Sequence, residues 1–96
     1  MNKIIDKRQI QSVCEKEHIK YLGIFGSHAR GEESVDSDVD ILVNFEEIKS
    51  YFQLGKIQAQ LEQLFKRKVD LVLQDNIKKS LERYILKDLI TLYEKR

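Results

Sequence analysis

Ser37-Asp38-Val39-Asp40-Ile41-Leu42-Val43-Asn44-Phe45 is the stretch on which the fold of this chain turns. Its β-branched and aliphatic residues predict a buried strand from Val39 to Phe45, interrupted by charge only near its start. Side chains alternate along a strand, so Asp38 and Asp40 project from one face. Val39, Ile41 and Val43 point to the other and supply a core surface. Two carboxylates held that close repel unless a proton or cation sits between them. Magnesium suits such a pair, because it takes one or two protein carboxylates and keeps positions for water and phosphate oxygens. Asp70, the lone charge in Val69-Asp70-Leu71-Val72-Leu73, becomes a third ligand if the two strands are adjacent. Carboxylates around two cations about 3.5–4 Å apart form a clamp for phosphoryl transfer.

Upstream, Ile19 to Phe25 predicts a short buried strand that runs into Gly26-Ser27-His28-Ala29-Arg30-Gly31. A turn of this kind, opening a short helix or turn over Ser27 to Glu33, offers backbone N–H groups, a hydroxyl and a helix dipole to an anion. A phosphate turn beside a carboxylate cluster is a coherent nucleotide site. Arg30 is either a phosphate contact or a brace for the acidic strand, since a guanidinium clamps both groups.

Helices fill the remaining sequence. Ile10, Val13 and Cys14 lie at helical spacing between Asp6 and Glu17. Ser50 and Gln53 form a capping-box pattern ahead of Leu54, Ile57, Leu61, Leu64 and Phe65, and Tyr51 and Phe52 are expected in the core, with stacking of one of them on a nucleobase as the alternative. Lys66-Arg67-Lys68 bounds that helix, and Lys68 to Leu73 follows as a strand. Asp75 or Asn76 is expected to cap a closing helix with the stripe Ile77, Leu81, Ile85, Leu89 and Leu92, flanked by Tyr84 and Tyr93. The expected order is α-β-α-β-α-β-α: a small α/β (α+β) domain with a mixed sheet of three or slightly more strands flanked by helices.

The 96 residues are expected to form one domain over 1–96, and 42% hydrophobic with 34% charged residues suits one modest core. No apolar run approaches the roughly 20 residues of a membrane-spanning helix, and none near Met1 has signal-peptide length. A lone Cys14 excludes an intramolecular disulfide and fits a cytoplasmic chain. The net charge of +1 conceals a block, residues 32–48, with seven acidic and no basic side chains. The basic flanks are too sparse for direct nucleic-acid binding to be expected.

Gly26-Ser27, ten residues, and then Asp38-Val39-Asp40 resembles the signature of the DNA polymerase beta-type nucleotidyltransferases. In particular the chain is similar to MNT-domain proteins, minimal nucleotidyltransferases encoded beside HEPN-domain partners as toxin–antitoxin pairs. The likeness runs from the leading helix through Val69-Asp70-Leu71-Val72 to Leu92-Tyr93-Glu94. It implies the polymerase beta-like nucleotidyltransferase fold, with Asp38 and Asp40 binding two Mg ions. Asp70 would complete the metal site nearer the attacking hydroxyl and help to deprotonate it. Gly26 and Ser27 would hold the β- and γ-phosphates of a nucleoside triphosphate, ATP in the MNT group. The implied reaction moves AMP to a tyrosine hydroxyl of the HEPN toxin. A chain this small has little left to enclose an acceptor, so the rest of the active site is expected from a partner or from a second copy in a homo-oligomer.

Competing patterns are weaker. Neutralisation of the partner by binding alone stands as an alternative, and transfer to a small molecule such as an aminoglycoside requires acceptor-binding structure that 96 residues do not provide. Asp36, Asp38, Asp40 and Glu47 stand at calcium-loop positions, but Ile41 occupies the place that needs glycine. Glu32 and Glu33 replace the Lys and Ser/Thr of a Walker A loop. His28 is expected at the surface without a role, His18 is expected to be inert, and Cys14 to be core.

Overall fold

A computed structural model of the chain describes residues 6–32 and 37–95. The elements follow as α1 (Lys7–Lys16), β1 (Ile19–Phe25), α2 (Ser27–Arg30), β2 (Val39–Phe45), α3 (Tyr51–Phe65), β3 (Val69–Leu73), a 3-10 turn (Gln74–Asn76), α4 (Lys79–Asp88) and β4 (Ile90–Glu94). The strands form one mixed sheet in the order β3-β2-β1-β4, in which β2 and β3 are parallel and β1 runs antiparallel to β2 and β4. The parallel pair is joined through α3, as a parallel connection requires.

One face of the sheet holds the main core. Val39, Ile41 and Val43 of β2 and Val69 of β3 are buried with Ile10 and Cys14 of α1 and Ile57, Leu61 and Phe65 of α3. Leu42 is also buried but points to the opposite face, where Ile85 of α4 is packed. Strand β2 is therefore covered on both sides, which explains why its apolar run is nearly continuous. Asp6 caps α1 by accepting from the Arg8 N–H at 2.9 Å, and Ser50 with Gln53 forms the reciprocal capping box of α3. Cys14 is fully buried, and burial followed by the neighbouring Glu15 charge pushes its thiol up to about 12, so it is an unreactive core residue.

The closing helix is shorter than its apolar stripe suggests. It stops at Asp88, Leu89 turns to extended backbone (φ −65°, ψ 128°), and Ile90–Glu94 becomes β4. Ile90, Thr91 and Tyr93 favour a strand, and the open edge of β1 accepts one. Tyr21 Oη and Thr91 Oγ1 hydrogen-bond across the pair at 2.8 Å. Gly23 makes room for the junction, because a Cβ there would press on Leu89 Cδ1 at 2.7 Å. Neither Asp75 nor Asn76 caps α4. Both belong to the 3-10 turn, and the N-cap is Lys78 without a side-chain hydrogen bond.

Tyr51 and Phe52 are not core residues: they are 94% and 84% exposed, beside Ile48 at 99%. The capping box sets the phase of α3 so that Ile57, Leu61 and Phe65 face inward and its first turn faces outward. Among the described residues, no helix is long and apolar enough to cross a membrane. Leu61→Ala is expected to lower stability by about 2–5 kcal/mol and Ser50→Ala by about 1 kcal/mol in urea unfolding. Tyr51→Ala should stay within about 0.5 kcal/mol of the parent; a loss as large as that of Leu61→Ala would contradict this phase of α3.

Candidate active site

Strand register brings the carboxylates together. In the parallel β2–β3 pair Asp40 lies directly across from Asp70, so both project from the same face on strands about 4.8 Å apart. Asp38 immediately precedes β2, outside its ladder, and is exposed. On the other side of β2 the antiparallel ladder pairs Asp40 with Phe25, the last residue of β1. The chain that leaves β1 at Gly26 must therefore turn over Asp40.

Gly26 is what lets it do so. Its φ of +78° is a region that L-residues rarely occupy, and a Cβ there would overlap Asp40 Oδ2. Turn and carboxylate are thus in contact, although 13 residues separate them in the sequence numbering, from 27 to 39. α2 has four residues and ends on Gly31 in the left-handed region. A helix this short carries little macrodipole, so its unsatisfied first-turn N–H groups, with the Ser27 hydroxyl, are what the turn offers an anion.

Asp40 is half-buried, and its carboxyl is held above its ordinary value of 3.8, first by burial and then by the charges of Asp70 and Asp38. His28 and Arg30 oppose that rise. Asp40 therefore lies in the field of both other aspartates. Among the described residues, however, no three carboxylate, imidazole or thiol groups close around a common point. Mg2+ needs hard oxygen donors from only one or two carboxylates, with its remaining positions left to water and phosphate, so Asp40 with one neighbouring aspartate would suit it.

Asp40 and Asp70 also border a cleft of about 420 Å3 whose other wall is Phe25, Val72, Ile77, Leu81 and Tyr84. Nothing in the sequence marks this apolar wall as part of the site. Ile77, Leu81 and Tyr84 belong to or precede α4, and their helical spacing reads equally well as core packing; only the fold turns them toward the carboxylates.

Arg30 and His28 also depart from expectation. The Arg30 guanidinium donates to Glu32 and to Asp88 at the end of α4, each at 2.8 Å, and these bonds raise its already high pKa. In this arrangement Arg30 ties α2 to α4, and neither ion pair is with Asp38, Asp40 or Asp70. His28, expected at the surface, is buried, and its Nε2 lies 3.2 Å from the Ser37 carbonyl oxygen. His18 takes a positive φ of 57° between α1 and β1 and pairs with Glu46 at 3.4 Å. A calcium loop is overturned: residues 39–45 form a paired strand about 20 Å long that separates Asp38 from Glu47 instead of curling them around one ion. Asp36 lies outside the described residues.

A glycine-serine turn set on two acidic strands offers backbone N–H groups to phosphates beside carboxylates that suit their cations. The family described as polymerase beta, nucleotidyltransferase, matches residues 8–96. The chain is 40% identical over 76 residues to the protein adenylyltransferase MntA of Thermococcus cleftensis, covering 79% of this chain and 77% of that one. Its fold is similar to a toxin–antitoxin structure with AMP-PNP, at a TM-score of 0.78 and 18% identity, covering 96% of this chain and 76% of that chain. It is also similar to a structure of a tri-AMPylated Shewanella oneidensis HEPN toxin in complex with MNT antitoxin, at a TM-score of 0.68 and 16% identity, covering 93% and 70%. The chain belongs to the polymerase beta-type nucleotidyltransferase family and is an enzyme of that type.

Because the folded state raises the Asp40 pKa, it binds more protons than the unfolded state just above 3.8, and stability falls as pH rises through the folded value. Without divalent cations, Asp40→Asn should therefore melt at a higher temperature than the parent at pH 7. The gain should shrink as pH falls toward 3.8, when the parent carboxyl is also neutral. Equal melting temperatures at pH 7 would contradict this burden on Asp40. Gly26→Ala should suppress nucleotide binding, measured by calorimetry with AMP-PNP, whereas Gly31→Ala, whose Cβ meets open space, should retain it at a backbone cost of about 1–2 kcal/mol.

Proposed function

We propose that this chain transfers AMP from ATP to a hydroxyl, that of a tyrosine, on a partner HEPN-domain toxin, and thereby acts in the cytoplasm as its antitoxin. The observation that carries this is the meeting of Gly26 with Asp40, and of Asp40 with Asp70, on adjoining strands. The 40% identity to a protein adenylyltransferase and the fold shared with toxin–antitoxin structures support the choice of a protein acceptor.

In this account Gly26 and Ser27 bind the β- and γ-phosphates through backbone N–H groups and the Ser27 hydroxyl. Asp38 and Asp40 hold Mg2+, and Asp70 completes the metal site on the acceptor side. When bound, the metal neutralises triphosphate charge and polarises the phosphoryl oxygens. Asp70 orients the acceptor hydroxyl and takes its proton. The hydroxyl oxygen bonds to the α-phosphorus, the bond to the bridging α–β oxygen breaks, and pyrophosphate leaves. Catalysis is chiefly positioning and charge stabilisation.

The edges of the site suit a macromolecular acceptor. β3 is an edge strand and Asp70 is exposed, so a hydroxyl carried on another protein can reach it. Val72, Leu81 and Tyr84 give the cleft an apolar wall for a planar group. Neutralisation by binding alone draws on a different feature, the exposed side chains of Ile48, Tyr51 and Phe52. Stoichiometry separates the two: an enzyme protects many copies of its target, a binder one.

With labelled ATP, Mg2+ and the protein encoded beside its gene, substoichiometric amounts of this chain should label that neighbour on tyrosine. Asp38→Ala combined with Asp40→Ala should abolish labelling, and Asp70→Asn should slow it strongly. Equal labelling by the double variant would refute the proposed catalytic role of the pair.

A further inference from the structure

His28 is the one buried polar or charged residue among the described residues, 1% exposed, and the phosphate turn and acidic strand do not by themselves explain why a histidine should be there. Its Nε2 lies 3.2 Å from the Ser37 carbonyl oxygen. A carbonyl only accepts, so Nε2 carries the proton and donates. Ser37 is the residue before Asp38.

Asp38 needs such help because it precedes the first residue of β2, and the ladder does not hold it. One neighbouring peptide is fixed: the Val39 N–H donates to the Lys68 carbonyl at 2.8 Å. The other is fixed by His28. With the peptides on both sides of Asp38 anchored, the direction of its Cα–Cβ bond is set although its side chain is exposed. A cation ligand must be held to within about 0.5 Å of its working position, and outer partners of ligands commonly supply that precision.

We propose that His28 is a positioning residue for Asp38, joining the floor of the phosphate turn to the first carboxylate of the pair so that phosphate and cation subsites keep one relative geometry. The inference rests on the assignment of Asp38 as a cation ligand. It predicts a role for the N–H donor distinct from the packing of the ring. Leucine preserves bulk and removes the donor. Glutamine can bring an amide N–H to the place of Nε2, whereas asparagine, one methylene shorter, cannot.

The test uses the full chain and a titration of Mn2+ in the presence of AMP-PNP, followed by the electron paramagnetic resonance of free Mn2+, with melting temperatures measured separately without metal. His28→Leu should weaken Mn2+ binding roughly tenfold or more, and His28→Gln should restore most of it even if both variants melt at the same temperature. If His28→Leu does not fold, His28→Asn against His28→Gln gives the same comparison, with the asparagine variant the weaker. Parent and donor-free variants that bind Mn2+ equally would overturn the role of His28 alone. A parent that binds no Mn2+ would overturn the assignment of Asp38, and this inference with it.

Discussion

The parallel pairing of β2 with β3 is the constraint on which the rest of the molecule depends. It places Asp40 opposite Asp70, and it is enforced from the other side of the sheet. Val39, Ile41, Val43 and Val69 are buried against α1 and α3, and a slip of one residue would turn these side chains outward and the aspartates inward. Hydrophobic burial thus sets the position of polar groups it never touches. The antiparallel pairing of β1 with β2 does the same for the turn, since Phe25 opposite Asp40 delivers Gly26 to the carboxylate.

A tension is built into that placement. Asp40 is half-buried, faces two other carboxylates and holds its proton more tightly than an ordinary aspartate. The remainder of the fold sustains this cost. On the proposed reading, a divalent ion held by Asp38 and Asp40 would remove most of it, so that affinity for the cation and strain without it would have the same origin. Arg30 and His28 stand near enough to favour the ionised form, yet each is already engaged, Arg30 with Glu32 and Asp88 and His28 with Ser37.

Much of this was legible in the sequence, because periodicity reports on local burial. The bounds of β1 and β2, the capping box of α3 and the core position of Cys14 all follow from spacing and residue type. What spacing cannot report is which strand edge remains open. Ile90 to Tyr93 continues a helical stripe, and only the unpaired edge of β1 makes it a strand. Tyr51 and Phe52 look like core for the same reason, since hydrophobicity alone does not fix the phase of a helix. The burial of His28 is not legible because a single histidine carries no pattern; its partner is a backbone carbonyl nine residues away. The third side of the cleft, Ile77, Leu81 and Tyr84, depends on how α4 crosses the sheet.

On the proposed reading, the acidic block concealed by the near-neutral charge holds the cations, the Gly26-Ser27 turn holds the phosphates, and the acceptor comes from a partner surface. The most direct test of that account is anomalous diffraction from crystals of the chain grown with Mn2+ and AMP-PNP. The account requires manganese peaks within coordination distance of Asp38 and Asp40, with the β- and γ-phosphates against Gly26 and Ser27. Manganese and nucleotide bound away from these residues, with the aspartates making no contact to either, would contradict it.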